Sequence, residues 1–229
     1  MPSPLSDTSF YRRWVWANGW SELAGLGGSL LLAWLGSQVL SLNESSLVVV
    51  LGSVLAAVVL GTFLEGVVVG FAQARVLRHR LSNLAPRAWI IATAVGAATA
   101  WLLGMLPSAM TGLASSAEAP PPETFEGPLQ YVLAAALGLV LGPILGLPQW
   151  VVLRRHIPGA GWWIGANALA WAVGMPLVFL GMGLLSEEAT ILQIIATVLT
   201  SCLAAGLSVG AIHGLVLVRL LRRARIPAT

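Results

Sequence analysis

Gly66-Val-Val-Val-Gly70-Phe-Ala-Gln73, closing an apolar run that ends at Leu77-Arg78, is the stretch that organises this chain. It recurs as Gly142-Pro-Ile-Leu-Gly146-Leu-Pro-Gln149 before Leu153-Arg154. With histidine in the last place it recurs again as Gly206-Leu-Ser-Val-Gly210-Ala-Ile-His213 before Val218-Arg219. A second pattern alternates with the first: Trp14-Val-Trp-Ala-Asn18, Trp89-Ile-Ile-Ala-Thr93 and Trp163-Ile-Gly-Ala-Asn167. Self-similarity at a fixed period marks a repeated structural unit. A unit that opens on the Trp pattern and closes on the Gly pattern, read as a helical hairpin, tiles the chain as repeats of about 12–80, 87–156 and 160–222.

Composition says where such hairpins sit. Of 229 residues 57% are hydrophobic and 9% charged, with a mean hydropathy of +0.86. A soluble domain carries about 25% charge and roughly 45–50% apolar residues, so this chain cannot clothe itself in polar surface. Intrinsic disorder and a nucleic-acid groove are excluded with it. A bilayer core of ~30 Å takes about 20 apolar residues in a helix. Six stretches qualify: Trp14 to Leu40, Ser46 to Ala74, Ala88 to Met110, Leu129 to Leu153, Trp162 to Leu185 and Ala189 to Val218. The expected fold is all-α and integral to the membrane, a single transmembrane domain over 1–229. Its three tandem hairpins form a pseudo-threefold bundle about the membrane normal, with a row of hairpins as the other arrangement.

Short loops rich in Lys and Arg stay in the cytoplasm. All 12 basic residues are arginine, and they fall at the two termini and in the second and fourth loops. The opposite loops hold Glu44, Glu118, Glu123, Glu126, Glu187 and Glu188, while Asp7 lies on the short N-terminal tail. Both termini are therefore expected on the cytoplasmic side of the inner membrane. The first apolar stretch is too long for a cleavable signal, and Arg12-Arg13 reads as an anchor for the first span. The pI near 10 is a statement about topology.

Gly66 and Gly70, then Gly138, Gly142 and Gly146, then Gly206, Gly210 and Gly214 strip one helix face of side chains and let another backbone approach. Gln73, Gln149 and His213 fall on the same narrow faces, with Asn18, Thr93 and Asn167 at a similar depth as partners. Hydrogen bonds of this kind contribute about 0.6 kcal/mol on average and up to ~1.7. Trp14, Trp16, Trp20, Trp89, Trp150, Trp162 and Trp163 are expected at the membrane interface, and Trp34, Trp101 and Trp171 as deeper packing residues. Cys202, the only cysteine, lies inside the sixth stretch and forms no intrachain disulfide.

Glu22 and Glu65 break the repeat. The other copies have Ala97 and Trp171, and Leu141 and Ala205, at the matching places. A carboxylate in mid-membrane costs roughly 2.5 kcal/mol or more unless it is protonated, paired or hydrated. Helical rise puts both about 15 Å from the arginine boundary, within reach of each other. Two readings follow: a proton or cation site, or a protonated glutamate acting as helix glue. His213 is the only histidine within a span, so a bis-histidine haem and a His-Glu-x-x-His metal site are absent. A single axial ligand to haem or pigment at His213 is the one cofactor arrangement left open. Gly206-Leu-Ser-Val-Gly210 fits Gly-x-Ser-x-Gly, but Ser208 and His213 share a helix about 140° apart, so the histidine cannot take the serine's proton.

The repeated Trp/Asn and Gly-x-x-x-Gly-x-x-Gln hairpins resemble those of uncharacterised multipass bacterial membrane proteins, a resemblance that covers most of the chain and implies no activity. The three-hairpin plan is similar to that of the mitochondrial carriers, whose Pro-x-acidic-x-x-basic signature is missing from all three copies. The expected role is non-catalytic, an accessory or scaffold subunit packing through its glycine faces. The alternative is a small transporter or channel, proton-coupled, with a cytoplasm-facing polar cavity around Glu22 and Glu65 lined by Asn18, Gln73, Gln149, Asn167 and His213. Expected partners are the lipid bilayer and other membrane subunits or a second copy, not nucleic acid.

Overall fold

The computed structural model describes residues 6–39, 47–114, 127–186 and 188–224. Among them every regular element is helical and no strand occurs. Helix α1 spans Asp7–Val39 and α2 Leu47–Leu60, which runs through a π-helical segment, Gly61–Val67, into α3, Val68–Leu77. Then come α4, Pro86–Ala114, α5, Pro128–Leu153, α6, Trp162–Gly183, and α7, Ile191–Arg223. Five helical stretches are long and apolar enough to cross a membrane: Leu51–Leu77, Pro86–Leu106, Pro128–Leu153, Trp162–Gly183 and Ile191–Arg223. Helix α1 equals α7 in length but is the most polar of the set, burying Asn18, Ser21, Glu22 and Ser29 against its neighbours.

The helices form a closed ring in chain order. Taking α2, the π segment and α3 as one rod, the backbone of each rod lies against only the one before it and the one after it, and α7 closes on α1. Across the ring the described residues meet through side chains alone, as Trp163 does with Trp14 and Trp89 and Gln149 with Gln73. Glycine sets the tightest contacts. A Cβ at Gly138 would run into the Trp171 carbonyl, and one at Gly142 into that of Asn167, so α5 and α6 meet backbone to backbone. The same device joins the π segment to α4, where a Cβ at Gly66 would lie 2.6 Å from Ala94 Cα. It also joins α7 to α1, where one at Gly206 would lie 2.7 Å from the Asn18 carbonyl. All eight glycines of the repeated faces therefore turn toward neighbouring helices of this chain, and Gly214 meets Trp14 and Tyr11 in the same way.

Two apolar clusters fill the ring. One lies at the arginine end, around Phe10, Trp14, Leu77, Trp89, Leu153, Trp163 and Leu217; the other lies beyond, around Leu26, Trp171, Val178, Cys202 and Val209. At the arginine end Asp7 Oδ1 accepts from Arg80 Nη2 at 2.6 Å and its Oδ2 from Arg222 Nε at 2.5 Å, tying together the start of α1, the turn after α3 and the end of α7. Hydrogen bonds from Arg80 and then Arg222 hold the Asp7 carboxyl below its usual range. The Arg80 side chain is only 2% exposed and lies 5.3 Å over the Phe10 ring. Its Nε and Nη1 have no hydrogen-bond partner among the described residues.

Several expectations change. Trp14, Trp89 and Trp163 are 0% exposed and belong to the core, so they are not an interfacial belt; Trp16, Trp20 and Trp162 do face outward. Their indoles find acceptors inside, which is what allows the burial of the first three. Helix α4 continues to Ala114, past the expected loop start at Thr111. The second stretch carries a π turn rather than a uniform helix. Asp7 is a clamp rather than a bystander on a tail. Glu44, Glu118, Glu123, Glu126 and Glu187, expected in the loops opposite the arginines, and Arg225 lie outside the described residues.

Candidate functional site

Between the two apolar clusters lies a polar layer contributed by every rod. Its local logic repeats three times. Asn18 Nδ2 donates to the Trp14 carbonyl at 2.8 Å, Thr93 Oγ1 to that of Trp89 at 2.9 Å and Asn167 Nδ2 to that of Trp163 at 2.9 Å, each one helical turn back. Such back-bonding fixes the polar side chain along its own helix and leaves its other polar atoms facing inward. The residue seven places after Gly66, Gly142 and Gly206 then accepts an indole N–H from the next helix round the ring. Trp89 Nε1 donates to Gln73 Oε1 at 3.0 Å, Trp163 Nε1 to Gln149 Oε1 at 3.0 Å, and Trp14 Nε1 to His213 Nδ1 at 3.0 Å. The last of these is the bond that closes the ring.

The amides also join one another. Gln73 Nε2 donates to Asn18 Oδ1 at 2.8 Å, and Gln149 Nε2 donates to Thr93 Oγ1 at 2.9 Å and to Gln73 Oε1 at 3.1 Å. Because an indole has a donor and no acceptor, the Trp14 bond requires a bare Nδ1 on His213, which puts the imidazole proton on Nε2. Beneath the layer the three tryptophans pack around the axis. Trp163 lies 6.0 Å from both Trp14 and Trp89, and the His213 ring is 5.0 Å from Trp163 and 5.6 Å from Trp14. This aromatic tier stands between the polar layer and the arginine end.

Asn18, Glu22, Glu65, Gln73, Gln149, Asn167 and His213 all line one central cavity of about 20 Å³, room for about one water molecule. The two glutamates thus reach the same space from α1 and from the π segment. Glu65 Oε2 accepts from Trp101 Nε1 at 2.7 Å. Glu22 is 2% exposed, packs against Gly206, and its Oε2 has no hydrogen-bond partner among the described residues. A π turn widens the helix by one residue per turn and is often found where a side chain is re-aimed at a site. Here Glu65 sits within that turn while its backbone presses on α1 at Gly25, where a Cβ would lie 2.7 Å from Glu65 Cα.

The sequence pattern missed two parts of this arrangement. The tryptophan indoles serve as donors to the layer, and their exact recurrence four residues before Asn18, Thr93 and Asn167 was the available signal. Trp101, expected as packing, holds Glu65, and nothing in its spacing announced that role. No three His, Cys, Asp or Glu side chains come together as a metal site among the described residues. No protein-family model, curated protein or solved structure matches this chain.

Proposed function

We propose that this is a six-span protein of the cytoplasmic membrane, three tandem hairpins closed into a ring with the arginine end and both termini inside. Its role is non-catalytic, that of a scaffold or accessory subunit. One observation carries this reading: the buried amides, indoles and imidazole bond to each other in a layer drawn from every rod, around space for about one water. A layer so connected specifies one helix order, because any other register would leave several groups unpaired in lipid. The clustering of all the arginines supports the orientation. Because the glycine faces are occupied internally, partner subunits or a second copy meet the outer surface of Leu, Ile, Val and Phe side chains. His213 serves as an acceptor for Trp14, and the cavity beside it is far smaller than a haem.

A second reading has one observation in its favour, the unpartnered Oε2 of Glu22 beside Glu65 in a shared cavity. It makes the protein a proton-coupled carrier with those two carboxylates as its site. Purified protein in liposomes loaded with a pH-sensitive dye separates the two. The scaffold reading expects proton flux no faster than in empty liposomes, at either polarity of an imposed gradient. Flux well above that background, abolished by Glu22→Gln and by Glu65→Gln in protein that remains folded, would replace it with the carrier.

A further inference from the structure

At the arginine end a cleft of about 680 Å³ runs between α1 and α3. Its rim carries Arg12 and Arg13 from α1, Arg75 from α3 and His79 from the turn after it, all exposed, and no acidic residue lines it. Arg13, Phe71, Arg75 and His79 also line an adjoining cleft of about 580 Å³, which adds Arg78 and Ser82. None of these four arginines makes an ion pair with a described residue. The nearby Asp7 carboxylate is already taken by Arg80 and Arg222. Four guanidinium groups gathered in a concave surface without a counterion repel one another unless an anion joins them.

The wall of the cleft is aromatic. Trp16 and Trp20, one turn apart, stack at 6.2 Å and are 49% and 57% exposed, and Phe71 faces them from α3 at 57%. From Arg12 to Trp20 the helix rises about 12 Å, so the cations and the aromatic wall occupy successive depths, as the headgroup and upper acyl regions of a lipid do. Matching positions in the other copies lack the combination. Where α1 and α3 supply Arg12, Arg13 and Arg75, the second copy has Arg87, Ala88 and Val151, and the third has Gly161, Trp162 and Leu215. Arginines that served only to fix topology would need neither the groove nor the aromatic wall.

We propose that this groove is a binding site for an anionic phospholipid. Arg12, Arg13, Arg75 and Arg78 hold its phosphate, and Trp16, Trp20 and Phe71 hold its glycerol and upper acyl chains. The site rests on the protein's standing in a membrane and is independent of the scaffold or carrier role. Basic pockets between membrane helices are suited to such headgroups, and each arginine near the surface strengthens the attraction.

The test is native mass spectrometry of the detergent-solubilised protein with an equimolar mixture of dioleoylphosphatidylglycerol and dioleoylphosphatidylcholine, alongside melting curves with each lipid and with inorganic phosphate. The wild type should retain phosphatidylglycerol about tenfold or more over phosphatidylcholine. Arg12→Gln/Arg13→Gln/Arg75→Gln should remove the preference, Arg154→Gln/Arg155→Gln should keep it, and Trp16→Ala/Trp20→Ala should weaken lipid retention at unchanged charge. Equal retention of the two lipids by the wild type overturns the site, and that measurement needs no variant to fold. Loss of the preference in the Arg154/Arg155 variant, to the same extent as in the triple variant, overturns it too. Protection by inorganic phosphate equal to that by phosphatidylglycerol overturns the lipid in favour of a soluble anion.

Discussion

The segment from α1 to α3 and the segment from α4 to α7 follow one plan and differ in what they leave unsatisfied. From α4 onward the layer consists of Thr93, Gln149, Asn167 and His213, each hydrogen-bonded to another group of the protein, His213 to Trp14 of the first segment. The α5–α6 contact there is backbone on backbone at Gly138 and Gly142. The first segment keeps the same Asn18, Gln73 and glycine devices but adds two buried carboxylates, a π turn, an unpartnered Glu22 oxygen, a buried Arg80 and a basic groove. A repeated scaffold thus separates its tasks: most of the ring holds shape, and one sector carries the groups that cost stability.

The largest expected effect lies in the shape-holding sector. Gly142→Ala should destabilise by about 3 kcal/mol in denaturant titrations of the micellar protein, since overpacking costs roughly 1–3 kcal/mol and here the obstacle is rigid backbone. Gly70→Ala should cost less, because the nearest atom stands at 2.9 Å, and Gly165→Ala, with nothing within 4 Å, should be near neutral. If all three behave alike, the glycine contacts do not set the ring.

Gln149→Leu comes next. It removes the acceptor of Trp163 and the donor to both Thr93 and Gln73, and a buried group left unpaired costs about 1–3 kcal/mol. A loss below that range would mean that the layer is not one connected network.

Asp7→Asn tests the clamp at the arginine end. Loss of the charge from two charge-assisted hydrogen bonds should cost about 1–2 kcal/mol near neutral pH, with Arg80 left buried without a counter-charge. The Asp7 carboxyl titrates below its usual range in the folded protein, so its contribution is present above the unfolded pKa and fades as pH falls through the folded one, below about pH 4. The variant should therefore match the wild type in acid and fall behind above it. A constant difference across that window would contradict the clamp.

Glu22→Gln should have the smallest effect, between neutral and a gain of about 1 kcal/mol, because it replaces a partly unpartnered carboxyl with an amide of the same shape. Glu65→Leu should instead destabilise, since Trp101 loses its acceptor. Equal losses at both sites would erase the asymmetry between them.

Much of this was legible beforehand. Five of the apolar stretches read from the sequence coincide with helices long and apolar enough to span a membrane, although α1 begins at Asp7, α4 runs on to Ala114 and α7 to Arg223, beyond the expected limits. The seven residues singled out for a cytoplasm-facing cavity come together around space for about one water; motif spacing puts Asn18, Gln73, Gln149, Asn167 and His213 on inward faces at one depth. Three features were not legible. The ring order depends on which glycine face meets which helix, a long-range choice with no local signal. The burial of Trp14, Trp89 and Trp163 inverts a rule for interfacial tryptophan, because a nearby acceptor makes the interior as good a place for the indole N–H. The π turn at Gly61–Val67 arises from packing of Glu65 against Gly25 and Trp101, and local helix preference says nothing of it.

The aromatic tier of Trp14, Trp89 and Trp163 stands between the arginine end and the polar layer and is expected to seal one from the other. Thr93→Cys in a Cys202→Ala background tests it directly, with a membrane-impermeant thiol reagent applied to inside-out vesicles and Ser82→Cys, exposed at that end, as the reference. Position 82 should label rapidly, and position 93 not at all until the protein is denatured. Labelling of position 93 in the folded protein at a rate comparable to position 82 would contradict the seal and reveal an open aqueous path to the glutamates.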